Sequence, residues 1–199
     1  AKFNDLFNHL LSEHSVSSTN PDIDQSNLGV INLLAETFEG LGFTCELVPV
    51  DGVGQGEHEK TNLIATLGSG PGGLVLSGHT DTVPFNESLW DTNPLAMTEK
   101  DNKLFGLGAT DMKGFFAVVH EAIQGIQDAD LKQPLIILAT ADEESSMAGA
   151  RTLANLGKPK ARAAVIGEPT SLRPIHMHKG IMMESIHVQG QSGHSSNPA

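Results

Sequence analysis

Apolar residues recur at helical spacing near the start of the chain. Phe3, Leu6, Phe7, Leu10 and Leu11 share one face of a helix, and Leu28, Ile31, Leu34, Ala35 and Phe38 form a second stripe that stops at Gly40 and Gly42. Between them, Ser12 to Asn27 is polar, carries Pro21 and reads as a loop. Phe43 to Val50 reads as a strand, and Asp51 to Lys60 as a loop rich in glycine and charge. Short strand patterns follow at Leu63 to Leu67 and Leu74 to Leu76. Met112 to Ile126 predicts a third amphipathic helix, with Phe115, Phe116, Val119, Ala122, Ile123 and Ile126 inward.

Leu135 to Ala139 is continuously apolar, as a strand buried on both faces requires. Ser145 to Leu156 predicts a helix, and Ala163 to Ile166 a further buried strand. Strands alternating with helices specify an α/β fold with a mainly parallel mixed sheet sandwiched by helices. The tail breaks the pattern. Ile181 to Val188 reads as a strand, and Gln189 to Ala199 is glycine, serine, asparagine and proline, without a terminating element. That ending predicts a truncated piece of a longer protein.

Composition narrows the function. Hydrophobic residues make up 39% of the 199, enough for a packed core. Acidic residues outnumber basic ones 24 to 12, which argues against a nucleic-acid partner. No apolar run is long enough for a bilayer, and no basic-then-apolar leader opens the chain, so neither a membrane partner nor a secretory signal is expected. Cys45 is the one cysteine, which excludes a disulfide framework and fits a reducing cytoplasm.

The chemistry collects at strand ends. Leu74-Val75-Leu76 runs into Ser77-Gly78-His79-Thr80-Asp81. Leu135 to Ala139 runs into Asp142-Glu143-Glu144, and Ala163 to Ile166 into Gly167-Glu168-Pro169. Asp111 stands just before the third helix. Ligands of open α/β sheets bind at the carboxyl ends of strands, so these groups are expected on one edge. Clustered carboxylates repel unless a positive charge holds them, and histidine with carboxylates suits a pair of divalent metals such as zinc, cobalt or manganese. Asp81, two residues after His79, can hold the imidazole's second nitrogen through its side chain or its backbone. Glu143 and Glu144 cannot both point one way from a strand or helix, so one is expected to bind metal and the other to move a proton. Taken singly, each acid also reads as a cap or a turn residue.

Together these motifs resemble those of the M20 metallopeptidases and deacylases. Ser77 to Pro84, Gly108 to Gly114, Thr140 to Glu144, Gly167 to Thr170 and Gln189 to Ser196 match in order and spacing, across nearly the whole chain. The resemblance implies a zinc-exopeptidase-like catalytic domain over residues 1–178 and the start of a lid or dimerisation domain over 179–199. It implies that His79 and Glu168 bind one metal, that Asp111 bridges two, and that Glu144 binds the second. Glu143 would be the general base and acid, Asp81 would orient His79, and His194 would stabilise the oxyanion, usually from the partner subunit of a homodimer.

A narrower likeness, in Gly108 to Phe116, Gly167 to Leu172 and His178-Lys179-Gly180, implies a small-molecule substrate, N2-acetyl-L-ornithine, cleaved to ornithine and acetate in arginine biosynthesis. Succinyl-diaminopimelate, another N-acyl amino acid or a dipeptide is the alternative within the family. A non-catalytic α/β binding module is the alternative outside it. Relatives draw a last histidine ligand from sequence beyond residue 199, so the second metal site is expected to be incomplete in this chain, and the chain weakly active or inactive.

Overall fold

A computed structural model describes residues 2–50, 52, 59–177, 179–180, 184, 186–190 and 196. The chain divides into two units, Ala1–Pro169 and Thr170–Ala199. The first contains helices α1 (Phe3–Ser12), α2 (Leu28–Glu39), α3 (Gly114–Ala122) and α4 (Ala148–Leu156). Its strands are β1 (Thr44–Pro49), β2 (Thr61–Leu67), β3 (Leu74–His79), β4 (Thr98–Lys100), β5 (Lys103–Phe105), β6 (Leu135–Thr140) and β7 (Ala163–Ile166). Among the described residues, no helix is long and apolar enough to cross a membrane.

The main sheet has the order β1-β2-β6-β3-β7. β1 and β2 pair antiparallel, as do β2 and β6. β3 lies parallel to both β6 and β7. The sheet is therefore mixed, and the three strands that lead into ionisable residues are the parallel ones. β4 and β5 form a separate two-stranded ribbon.

Side-chain alternation explains why β6 is apolar throughout. Leu135, Ile137 and Ala139 join Leu63, Ala65 and Leu67 of β2 beneath α1, α2 and α3. Ile136, with Leu138 packed beside it, instead meets Ile64, Val75 and Leu153 of α4 on the opposite face. Leu10, Leu34, Phe38 and Phe116 are fully enclosed in the larger cluster. Burying each such side chain contributes about 1.5–3 kcal/mol.

Three elements differ from the sequence pattern. β7 is exposed along its whole length rather than buried, because among the described residues it is the sheet edge, with β3 as its one strand neighbour. Its Val165 and Ile166 are 51% and 63% accessible. α3 begins at Gly114, not Met112, and closes at Ala122. α4 begins at Ala148, because Asp142 and Met147 adopt left-handed φ values of 64° and 56°, which a helix cannot include. Residues 143–146 are turn instead.

In the second unit the described residues form no helix or strand. Leu172, Ile186 and Val188 are almost fully exposed. Of the strand expected over residues 181–188, positions 181–183 and 185 lie outside the described residues, and the rest carry no strand pairing.

Candidate metal centre

Parallel alignment of β3, β6 and β7 brings their carboxyl ends to one edge. His79 closes β3 opposite Thr140 of β6, and Ile166 of β7 pairs with Ser77. Glu143 and Glu144 follow β6, and Glu168 follows β7. Asp111 arrives from the turn before α3. The site is thus built by four segments far apart in sequence.

His79 is its centre and is 2% exposed. Its Nε2 lies 3.0 Å from Asp111 Oδ1, 3.8 Å from Glu168 Oε1 and 4.0 Å from Glu143 Oε2. Two sets of ligand atoms each fall within 4.8 Å of one another: His79, Asp111 and Glu168, and His79, Glu143 and Glu144. Adjacent Glu143 and Glu144 therefore both face His79. The left-handed Asp142 puts them in a turn, and a turn lacks the alternation that would separate neighbours on a strand.

The other imidazole nitrogen, Nδ1, lies 2.9 Å from the backbone carbonyl of Asp81. A carbonyl only accepts, so Nδ1 carries a proton, and in the neutral ring Nε2 presents a lone pair. That lone pair then faces a carboxylate oxygen of Asp111 at 3.0 Å. Two acceptors so close need a proton or a cation between them. The Asp81 carboxylate does not reach the ring, since its Oδ1 is 3.7 Å from Nδ1. Its Oδ2 accepts the Glu144 backbone N–H at 3.0 Å, and its buried Oδ1 has no hydrogen-bond partner among the described residues. Asp81 thus couples the His79 segment to the Glu144 turn, with the backbone rather than the side chain holding the imidazole.

The electrostatics of the cluster favour a cation. Burial and then the Asp111 carboxylate raise the Glu144 pKa above its ordinary value. Burial also raises that of Glu168; His79 opposes the shift, while Asp111 and Glu143 add to it. For His79, burial favours the neutral ring, but Asp81, Glu168, Asp111 and Glu143 outweigh it, so its pKa is raised. Desolvation raises the Asp81 pKa despite the N–H groups it accepts. Among the described residues no lysine or arginine pairs with Asp111, Glu143, Glu144 or Glu168. A divalent cation would meet one imidazole lone pair and several carboxylates, so the donor set fits zinc, cobalt or manganese.

The supporting shell contains residues that the sequence pattern did not single out. Gly78 lets α3 approach, since a Cβ there would lie 2.8 Å from Met112 Cε and 3.1 Å from Phe115 and Phe116 ring atoms. Lys113 is 1% exposed and donates to the Glu13 carbonyl at 2.8 Å, so it does not neutralise neighbouring Asp111. Burial lowers its pKa to about 8. Asp142 is 2% exposed, and although burial opposes it, hydrogen bonds from Ser146 and Ser17 together with Lys60 hold its carboxyl below the usual range. No pattern signals a buried lysine, and Lys60 had read as part of a polar loop. His194 lies outside the described residues.

Comparison with known proteins adds a second line of evidence. Residues 75–194 match peptidase family M20/M25/M40. An acetylornithine deacetylase of Klebsiella pneumoniae (strain 342) is 52% identical over 197 residues, covering 99% of this chain and 50% of that protein. The chain therefore spans about half the length of this curated relative. Among solved structures, human carnosine dipeptidase 1 superposes with a TM-score of 0.67 at 24% identity, over 83% of this chain and 38% of that one. The M20 family metallo-carboxypeptidase Sso-CP2 from Sulfolobus solfataricus gives 0.65 at 23%, over 84% and 37%. At such identities these two speak for the fold.

Proposed function

The chain belongs to peptidase family M20/M25/M40, and from that premise we propose that the full-length protein is a metal-dependent acetylornithine deacetylase, cleaving N2-acetyl-L-ornithine to ornithine and acetate. The observation that carries this reading is the convergence of Asp111, Glu143, Glu144 and Glu168 on the His79 lone pair, in a chain half-identical to an enzyme of that activity. In this reading residues 1–178 are the catalytic domain and 179–199 begin a lid. The protein is a cytoplasmic homodimer serving arginine biosynthesis.

His79 and Glu168 would hold one ion and Glu144 a second, with Asp111 a ligand shared by the two. When bound, the ions supply Lewis acidity, polarising the amide carbonyl and lowering the pKa of water. Glu143 takes a proton from the attacking water and delivers it to the leaving amine nitrogen. His194 donates a hydrogen bond to the developing oxyanion. Asp81 fixes the tautomer of His79 through its backbone carbonyl and holds the Glu144 main chain through its carboxylate.

The test is turnover of N2-acetyl-L-ornithine against N-succinyl-diaminopimelate by the full-length protein, before and after metal stripping. Acetylornithine should be preferred, and zinc or cobalt should restore the stripped enzyme. Glu143→Gln should lower kcat by about 10²–10⁴ while metal content is retained. Equal or reversed substrate preference overturns the acetylornithine assignment. Activity indifferent to metal overturns the mechanism.

A further inference from the structure

Beneath the metal centre lies a second polar cluster with no part in the chemistry above. Lys60, at the entrance to β2, is 1% exposed. Its Nζ donates to Asp24 Oδ1 at 2.8 Å and to the Gln25 carbonyl at 2.6 Å, and stands 3.6 Å from Asp142 Oδ1. Asp142 in turn accepts from Ser17 Oγ at 2.5 Å and from Ser146 Oγ. Ser17 and Ser145 hydroxyls lie 2.6 Å apart. The Asp142 backbone carbonyl accepts from Met147 N at 2.7 Å. Both charges are withdrawn from water, a desolvation cost that their pairing and hydrogen bonds must offset.

The cluster joins three stretches of chain. The loop over residues 15–27 supplies Ser17, Asp24 and Gln25. That same loop holds the segment after His79, since Ser15 Oγ donates to the Thr80 carbonyl at 2.7 Å and Ser17 N to the Thr82 carbonyl at 2.9 Å. The turn after β6 supplies Asp142, Ser145 and Ser146, and between them stand Glu143 and Glu144. A left-handed aspartate is an unfavoured conformation that surrounding contacts must impose. Both carboxylate oxygens and the carbonyl of Asp142 are engaged.

We propose that Asp142, clamped by Ser17, Ser146 and Lys60, is a positioning residue that holds the turn in the conformation presenting Glu143 and Glu144 together to His79. This inference rests on the metal-hydrolase reading above, since it assigns a task to the turn only if the two glutamates act there. Ser17 and Lys60 are the anchors, and the 15–27 loop is the frame that keeps the β3 and β6 ends of the site in register.

The experiment uses the full-length protein loaded with zinc. Asp142→Ala removes both carboxylate acceptors. Asp142→Asn keeps the shape and an acceptor for Ser17, and its amide can donate to Ser146. Ile31→Val, fully buried in the main apolar cluster, serves as a destabilised control. Asp142→Ala is expected to weaken zinc binding by about 10–100-fold, the usual effect of losing a partner that orients ligands. At saturating zinc it should lower kcat at least tenfold, with KM within threefold of wild type. Asp142→Asn should recover most of both losses, and Ile31→Val should move the thermal midpoint without moving either.

If Asp142→Ala fails to fold, Ser17→Ala, which leaves every charge in place, should show the same kcat and zinc pattern in weaker form. The proposal is overturned if the Asp142 and Ser17 variants change kcat and zinc affinity no more than the control does. It is also overturned if Asp142→Asn is as impaired as Asp142→Ala. A wild-type protein active with zinc alongside unaffected variants removes this inference alone. A wild-type protein without metal-dependent amide hydrolysis removes the functional reading and this inference with it.

Discussion

Replacing Asp81 with asparagine separates two roles that a buried carboxylate beside a metal ligand can have. The residue is 1% exposed, and its Oδ2 accepts the Glu144 N–H at 3.0 Å. An asparagine oxygen can take over that bond, while the amide nitrogen replaces Oδ1, which has no hydrogen-bond partner among the described residues. The charge is lost, and a buried acceptor becomes an N–H donor. At the 3.7 Å separation from His79, the gross attraction between unit charges is ~4 kcal/mol at an effective dielectric near 20. Much of this is offset by desolvation, as the raised Asp81 pKa shows. Because both orienting contacts survive, the net effect on metal binding should be that of one lost negative charge beside the site, about tenfold or ~1.4 kcal/mol.

The same raised pKa sets the sign for the metal-free protein. Stability associated with Asp81 is lost as pH rises through its folded value, so at pH above the carboxylate range the charge is a net cost. Asp81→Asn should thus leave the melting temperature of the stripped protein unchanged or higher, while competition against a chelator shows weaker zinc binding. A variant with unaltered zinc affinity and a stripped form less stable by more than about 1 kcal/mol would make Asp81 a turn cap and refute this reasoning.

Three further outcomes follow from the geometry. Gly78→Ala forces a methyl against Met112, Phe115 and Phe116, so it should cost about 1–3 kcal/mol in thermal unfolding and weaken zinc binding at adjacent His79; wild-type values in both would contradict the tight packing. Phe116→Ala empties the centre of the main cluster and should cost about 3–5 kcal/mol in denaturant unfolding, against less than 1 for a surface change. Without metal, Glu144, Glu168, Asp81 and His79 all have raised pKa values, so the stability they contribute is lost as pH rises, for the carboxylates above ~4 and for His79 above ~6.5. Asp142, whose pKa is lowered, loses its contribution only as pH falls below the carboxylate range. Melting temperatures of the stripped protein should therefore decline across that window, with zinc restoring most at the alkaline end; a flat profile would count against the cluster.

Much of this was legible residue by residue. The stripe of Leu6, Phe7, Leu10 and Leu11 marks a helix because 3.6-residue periodicity is local. The unbroken apolar run of β6 announces burial on both faces, and the acids following β3, β6 and β7 announce a site at the carboxyl edge. The sequence by itself thus determined the main helices and the strands of the large sheet, which residue types the site contains, and to which family the chain belongs, but not the β4–β5 ribbon, whose strands are too short to carry a pattern. Only the tertiary structure decided that β7 is an exposed edge, that Glu143 and Glu144 face the same point, that the Asp81 backbone rather than its carboxylate meets the imidazole, and that Lys60 is buried against Asp142. Each of these depends on partners remote in the chain, such as Ser17 and Asp142, separated by 125 positions. Periodicity records what a residue needs from its immediate neighbours, while burial, charge pairing and side-chain direction in a turn are set by whatever the fold places opposite.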